Sequence, residues 1–136
     1  LGVELEPIRV GRRYQHVVFN MWDCAGDPKF AGLDTQYYVN ADAFLVCFDL
    51  TSEATLQHCK HWIDKVKSAN LEGKLIILVG LKRDLTGITI THEKVNQMYP
   101  DVYYHEISTK KSKGPQELLS FLQTKLQGNQ AHNAKL

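Results

Sequence analysis

Two stretches, residues 43–48 and 75–79, are apolar at every position. Apolar runs this short, with no alternation, are expected of strands buried on both faces, as in a parallel sheet covered on either side. Between them Thr51-Ser52 offers a helix cap, and Leu56, Cys59, Trp62 (or Ile63) and Val66 recur at helical spacing to about residue 70. Strand, helix and strand in that order predict a layered α/β fold.

The flanking sequence extends this frame. Val3, Leu5, Ile8 and Val10 alternate with polar residues apart from a slip at Pro7, which predicts an edge strand with a bulge. Gly11-Arg12-Arg13 makes a turn, and residues 14–22 return with Val17, Phe19 and Met21 on one face and His16, Val18 and Trp22 on the other. Beyond Gly26, Pro28 suits the first position of a short helix reaching about Tyr38, with Phe30, Leu33, Tyr37 and Tyr38 as its apolar content. After the second apolar strand come a weaker helix over 91–98, a strand over 102–107 and a last helix. That helix has Pro115 near its start, Gly128 just past its end, and Leu118, Leu119, Leu122 and Leu126 facing inward. The expected organisation is one domain over 1–128 and a polar, frayed tail over 129–136. Its architecture is a doubly wound, mostly parallel sheet with an antiparallel edge hairpin.

Composition narrows the function classes. A chain of 136 residues, 43% hydrophobic, can build one ordinary core. A formal charge of +1 gives no footprint for nucleic acid or an anionic membrane. Cys24, Cys47 and Cys59 lack metal-type spacing and suggest reduced thiols of an intracellular protein. No apolar run approaches the roughly 18 residues of a membrane span, no signal peptide is visible, and no C-terminal cysteine offers a lipid anchor. His58 and His61 lack a third metal ligand, and His92-Glu93 lacks the second His of a metalloprotease helix. Lys110-Lys111-Ser112-Lys113 is most simply a solvated loop.

The stretch with chemical content is Trp22-Asp23-Cys24-Ala25-Gly26, where an Asp at a strand end precedes a Gly by three positions. An Asp so placed can face Mg²⁺ through water, and a glycine can offer an unobstructed backbone N–H to a terminal phosphate. With Lys29-Phe30, Gly32-Leu33, Tyr37-Tyr38 and Phe48-Asp49-Leu50-Thr51-Ser52, in this order and spacing, residues 1–126 resemble the later part of a Ras-superfamily small GTPase, most closely the Ran branch. The resemblance implies GTP or GDP and Mg²⁺ as cofactors, with Asp23 at the metal through water and Gly26 at the γ-phosphate. It places Lys82 and Asp84 at the guanine base, with Ser108-Thr109-Lys110 closing the pocket. It also implies protein partners at the second-switch helix, through Phe30, Leu33, Tyr37 and Tyr38, with nuclear transport factors among them and a setting in cytoplasm or nucleus.

The departures from the family pattern point the other way. The phosphate-binding loop G-x-x-x-x-G-K-[ST] is not found in these residues, and the chain opens on Leu1. It is therefore expected to be part of something longer, with the loop, the first strand and the first helix upstream. Each charge-assisted hydrogen bond contributes about 1.5 to 3 kcal/mol, so without the loop's several such bonds tight GTP binding is not expected. Asp27 stands where the family has its catalytic Gln, and as a short anion beside a γ-phosphate it is expected to be inactive. Asp27-Pro28 is equally a helix cap and first-turn proline. Leu81 stands where the family has the Asn of N-K-x-D, at a cost of about 1 to 3 kcal/mol for the unmatched polar partners. Apart from the resemblance, Asp84 is a turn residue after a strand and Lys110 a solvated charge.

By resemblance, a strand belongs between residues 14–22 and 43–48. Without it those two strands leave unpaired backbone facing a gap, so either a longer parent chain contains the strand, or a partner supplies one, or the two neighbours close up and pair directly. The expected function is that of a protein-interaction module with lost or weak GTP binding and hydrolysis. The alternative is a fragment of a GTP-hydrolysing Ran-like enzyme whose phosphate loop lies upstream.

Overall fold

The computed structural model describes residues 3–13, 15–26, 38–69, 73–111 and 113–133. Strands β1 (Val3–Arg12) and β2 (Gln15–Cys24) form an antiparallel pair in unbroken register, Val3 opposite Cys24 and Arg12 opposite Gln15. Pro7 pairs with Asn20 inside that register, so the bulge expected there is absent. A proline needs no ladder hydrogen bond where its N-side faces outward, and an edge strand allows this.

The remaining strands, β3 (Ala43–Asp49), β4 (Leu75–Leu81) and β5 (Tyr103–Glu106), make a parallel sheet in the order β3-β4-β5. Helix α1 (Glu53–Ser68) buries Leu56, Cys59, Ile63 and Val66. Trp62 is only half-buried, which settles the choice of inward residue in favour of Ile63. Helix α2 (His92–Met98) starts where the Thr91 hydroxyl accepts from Lys94 N–H at 3.2 Å.

Two cores flank the sheet. On one side Val46, Phe48 and Leu78 meet Leu56, Cys59 and Ile63 of α1 and Val95 of α2. On the other, Ile77 and Val79 meet Leu118 and Leu122 of helix α3 (Lys113–Asn133). Helices thus cover both faces, and each fully buried Leu or Ile contributes roughly 1.5 to 3 kcal/mol. Helix α3 continues past Gly128 to Asn133 instead of ending there. Gly128 does not adopt the left-handed backbone that would stop a helix.

The hairpin is a sheet of its own and not the edge of the parallel one. Among the described residues, β2 and β3 do not pair, so the two strands have not closed on each other. Phe19 of β2 instead packs against the α3-side core, which tethers the hairpin through a side chain. The expected helix from Pro28, with Asp27, Phe30, Leu33 and Tyr37, lies outside the described residues.

Candidate functional site

Parallel strands leave their C-terminal ends at one rim of the sheet, where the following loops can converge on a ligand. Here β3 ends at Asp49 opposite Leu81, and Lys82, Arg83 and Asp84 follow directly from β4. The main chain knits this rim together. Leu50 N–H donates to Leu81 C=O at 3.2 Å, Arg83 N–H to Ile107 C=O at 3.1 Å, and Ile107 N–H to Gly80 C=O at 2.8 Å.

Lys82 adopts a left-handed backbone, φ 64°, and no other described non-glycine residue does. A lysine there is strained, and such strain collects where a fold over-determines a loop for use. Its ammonium meets the Asp49 carboxylate at 2.6 Å. That carboxylate also accepts from the Thr51 N–H at 2.8 Å and the Thr51 hydroxyl at 2.7 Å. Lys82 first, then Thr51, holds the Asp49 carboxyl down at about 2.

Asp84 is oriented from the neighbouring loop. The Ser108 hydroxyl donates to its Oδ1 at 2.5 Å and draws its carboxyl below the ordinary range, while Lys110 Nζ stands 3.9 Å from Oδ2. Lys110 N–H approaches the same hydroxyl at 3.3 Å. Ser108 is buried, whereas Thr109 and Lys110 are exposed. Beside them Arg83 Nε pairs with Glu106 at 2.8 Å, and Glu106 accepts from the Tyr104 hydroxyl at 2.7 Å. The structure therefore brings Lys82, Asp84, Ser108 and Lys110 together, with Thr109 in the same turn. Leu81 turns away from this group and packs with the α3-side core.

The phosphate-side candidates sit elsewhere. Asp23 is exposed on β2 opposite Glu4, and with Glu4, Leu5, Glu6 and Met21 it lines an open depression of about 410 Å³. Strand β2 runs one residue past Asp23, to Cys24. Gly26 is exposed, and an added Cβ there would meet nothing within 4 Å. Among the described residues, no hydrogen bond or ion pair joins Asp23 or Gly26 to the rim, and no cluster of three or more side chains could hold a metal ion. Among the described residues, the rim gathers the polar side chains of Lys82, Asp84, Ser108 and Lys110, with Asp49 beside them, and Asp23 stands apart from that group.

Tyr38, expected on a partner-facing helix, is buried with its ring edge-on to Phe44 at 5.6 Å, and Lys65 stands over it. Its ring belongs to the fold interior. Asp49, by contrast, carries a contact that the motif spacing missed. The signal available was Asp49-Leu50-Thr51, an Asp two residues before an N–H it can accept from.

The Ras family model matches residues 1–127. The Ras-related protein RabC of Dictyostelium discoideum is 28% identical over 127 residues, 90% of this chain and 65% of that relative's own length. A match across nearly the whole chain, together with a parallel sheet whose rim presents Lys82 and Asp84, leads to one conclusion: the chain belongs to the Ras family of small GTPases.

Proposed function

We propose that this chain is a Ran-like interaction module built on the small-GTPase fold. It keeps the base end of a guanine-nucleotide site, binds nucleotide weakly, and hydrolyses it slowly or not at all. The observation that carries this is the split at the end of β4. Leu81 is spent on the core, while Lys82 and Asp84 beside it remain fixed at the rim. Asp84 would accept from the guanine N1 and N2 groups, the Lys82 stem would lie along the ring, and Ser108, Thr109 and Lys110 would close the pocket. Asp23 would reach Mg²⁺ through water and Gly26 N–H the γ-phosphate, but Asp27, shorter than Gln and anionic, is poorly suited to orient an attacking water.

The Ran branch is supported by Lys29-Phe30, Gly32-Leu33 and Tyr37-Tyr38 together with Phe48-Asp49-Leu50-Thr51-Ser52. Partners of the nuclear transport class follow from it, as does a place in cytoplasm or nucleus. Docking through the second-switch segment would fall to Phe30, Leu33 and Tyr37, since Tyr38 is buried. Fluorescence anisotropy of the labelled chain with a purified nuclear transport receptor tests this. The expected result is saturable binding, equal with GTP or GDP present, and weakened at least about tenfold by Phe30→Ala with Tyr37→Ala. No binding, or binding only with GTP, would contradict it.

The formed base end also favours a second reading, a GTP-binding and GTP-hydrolysing small GTPase whose phosphate-binding loop lies outside these residues. Sustained phosphate release from GTP by the longest natural chain would select that reading.

A further inference from the structure

Asp49 sits at the rim without a part in the motifs that define the site. Its carboxylate is held twice by Thr51, and its own N–H donates to the Thr55 hydroxyl at 3.0 Å. Thr55 in turn donates to Ser52 C=O at 2.7 Å. The start of α1 therefore fixes Asp49, and Asp49 fixes Lys82 across the strand ends at 2.6 Å. A lysine side chain that is 56% exposed would otherwise sample many rotamers. Pinned at its ammonium, its apolar stem has a defined course along the rim.

We propose that Asp49 is the positioning residue of the base-side site. By holding the Lys82 ammonium it sets the lysine stem as one wall of the surface that takes a purine base, and couples that wall to the start of α1. This rests on the reading that the rim takes a guanine base. Lys82's left-handed backbone accompanies this contact, its side chain reaching from the residue after β4 back to Asp49 at the end of β3.

The test is calorimetric titration of the intact chain with GDP for the wild type, Asp49→Asn, Lys82→Met, the double variant, and Thr51→Val, with thermal melts alongside. Positioning through Lys82 predicts that Asp49→Asn weakens GDP binding by about fivefold, that it adds nothing once Lys82 is Met, and that Thr51→Val, which removes one of the two bonds holding Asp49, weakens binding in the same direction but less. Wild-type binding with Asp49→Asn unchanged, or with additive losses in the double variant, would overturn the positioning role alone. No GDP binding by the wild type at millimolar concentration would overturn the base-site reading and this role with it. A second measurement needs no variant. Acetylation of the native chain, read by mass spectrometry, should modify Lys82 several-fold more slowly than Lys110, whose nearest carboxylate is 3.9 Å away. Equal rates would overturn the proposal.

Discussion

At the scale of single residues, the same chemistry means different things in different settings. Lys82 and Lys110 are both exposed lysines near an aspartate, yet only Lys82 combines a 2.6 Å contact with a left-handed backbone. Two glycines show the same contrast. At Gly80 a Cβ would stand 2.9 Å from Leu50 Cδ2 and 3.1 Å from the Tyr104 hydroxyl, while at Gly26 it would meet nothing. Gly80→Ala is therefore expected to cost about 1 to 3 kcal/mol in denaturant unfolding, since Leu50 is fully buried and has little room to yield. Gly26→Ala should leave the melting temperature within about a degree, because the fold makes no steric demand there. A large loss at Gly26 would mean that the fold, and not a ligand, explains that glycine.

Among the elements, the sequence disclosed most where periodicity and burial agree. The apolar runs marked β3 and β4, and the spacing of Leu56, Cys59 and Val66 marked α1, because a strand or helix with a fixed inner face leaves a repeating record. The end of α3 was not legible: Gly128 permits a stop but does not impose one. The unbroken hairpin register at Pro7 is not legible in the sequence because proline's cost depends on which side of the strand is unpaired. Of the site, Lys82, Asp84 and Ser108 were visible through motif likeness, whereas the Asp49–Lys82 pair joins residues far apart in sequence and leaves no local mark. Packing of β5 on α3 also has a pH consequence. His105 lies against Phe121 at 4.4 Å, and burial lowers its pKa, with Glu117 opposing the shift. The unfolded chain then holds the extra proton below the ordinary value of 6.5, so this contribution is complete above that pH and declines as pH falls toward the folded value. Thermal melts between pH 7.5 and about 5 should show stability falling with acid, and His105→Gln should flatten the slope.

For the whole molecule, the division into a hairpin and a three-stranded parallel sheet governs both stability and use. A two-stranded hairpin is marginal alone, and β1 is largely exposed, so its attachment depends on contacts such as Phe19 in the α3-side core. Native-state hydrogen exchange should accordingly find β1 and β2 amides opening well before those shared by β3 and β4. The rim belongs to the stable part, while Asp23 belongs to the hairpin and Gly26 follows it by two residues. On the proposed reading the base end would stand on the firm platform and the phosphate end on the loosely tethered one, which would make nucleotide binding weak. The direct test is calorimetric titration of the chain with GDP and ADP in the presence of Mg²⁺. If Asp84 reads the base as proposed, GDP should bind saturably, more weakly than about micromolar and more tightly than ADP. Submicromolar GDP binding, or equal binding of the two nucleotides, would contradict it.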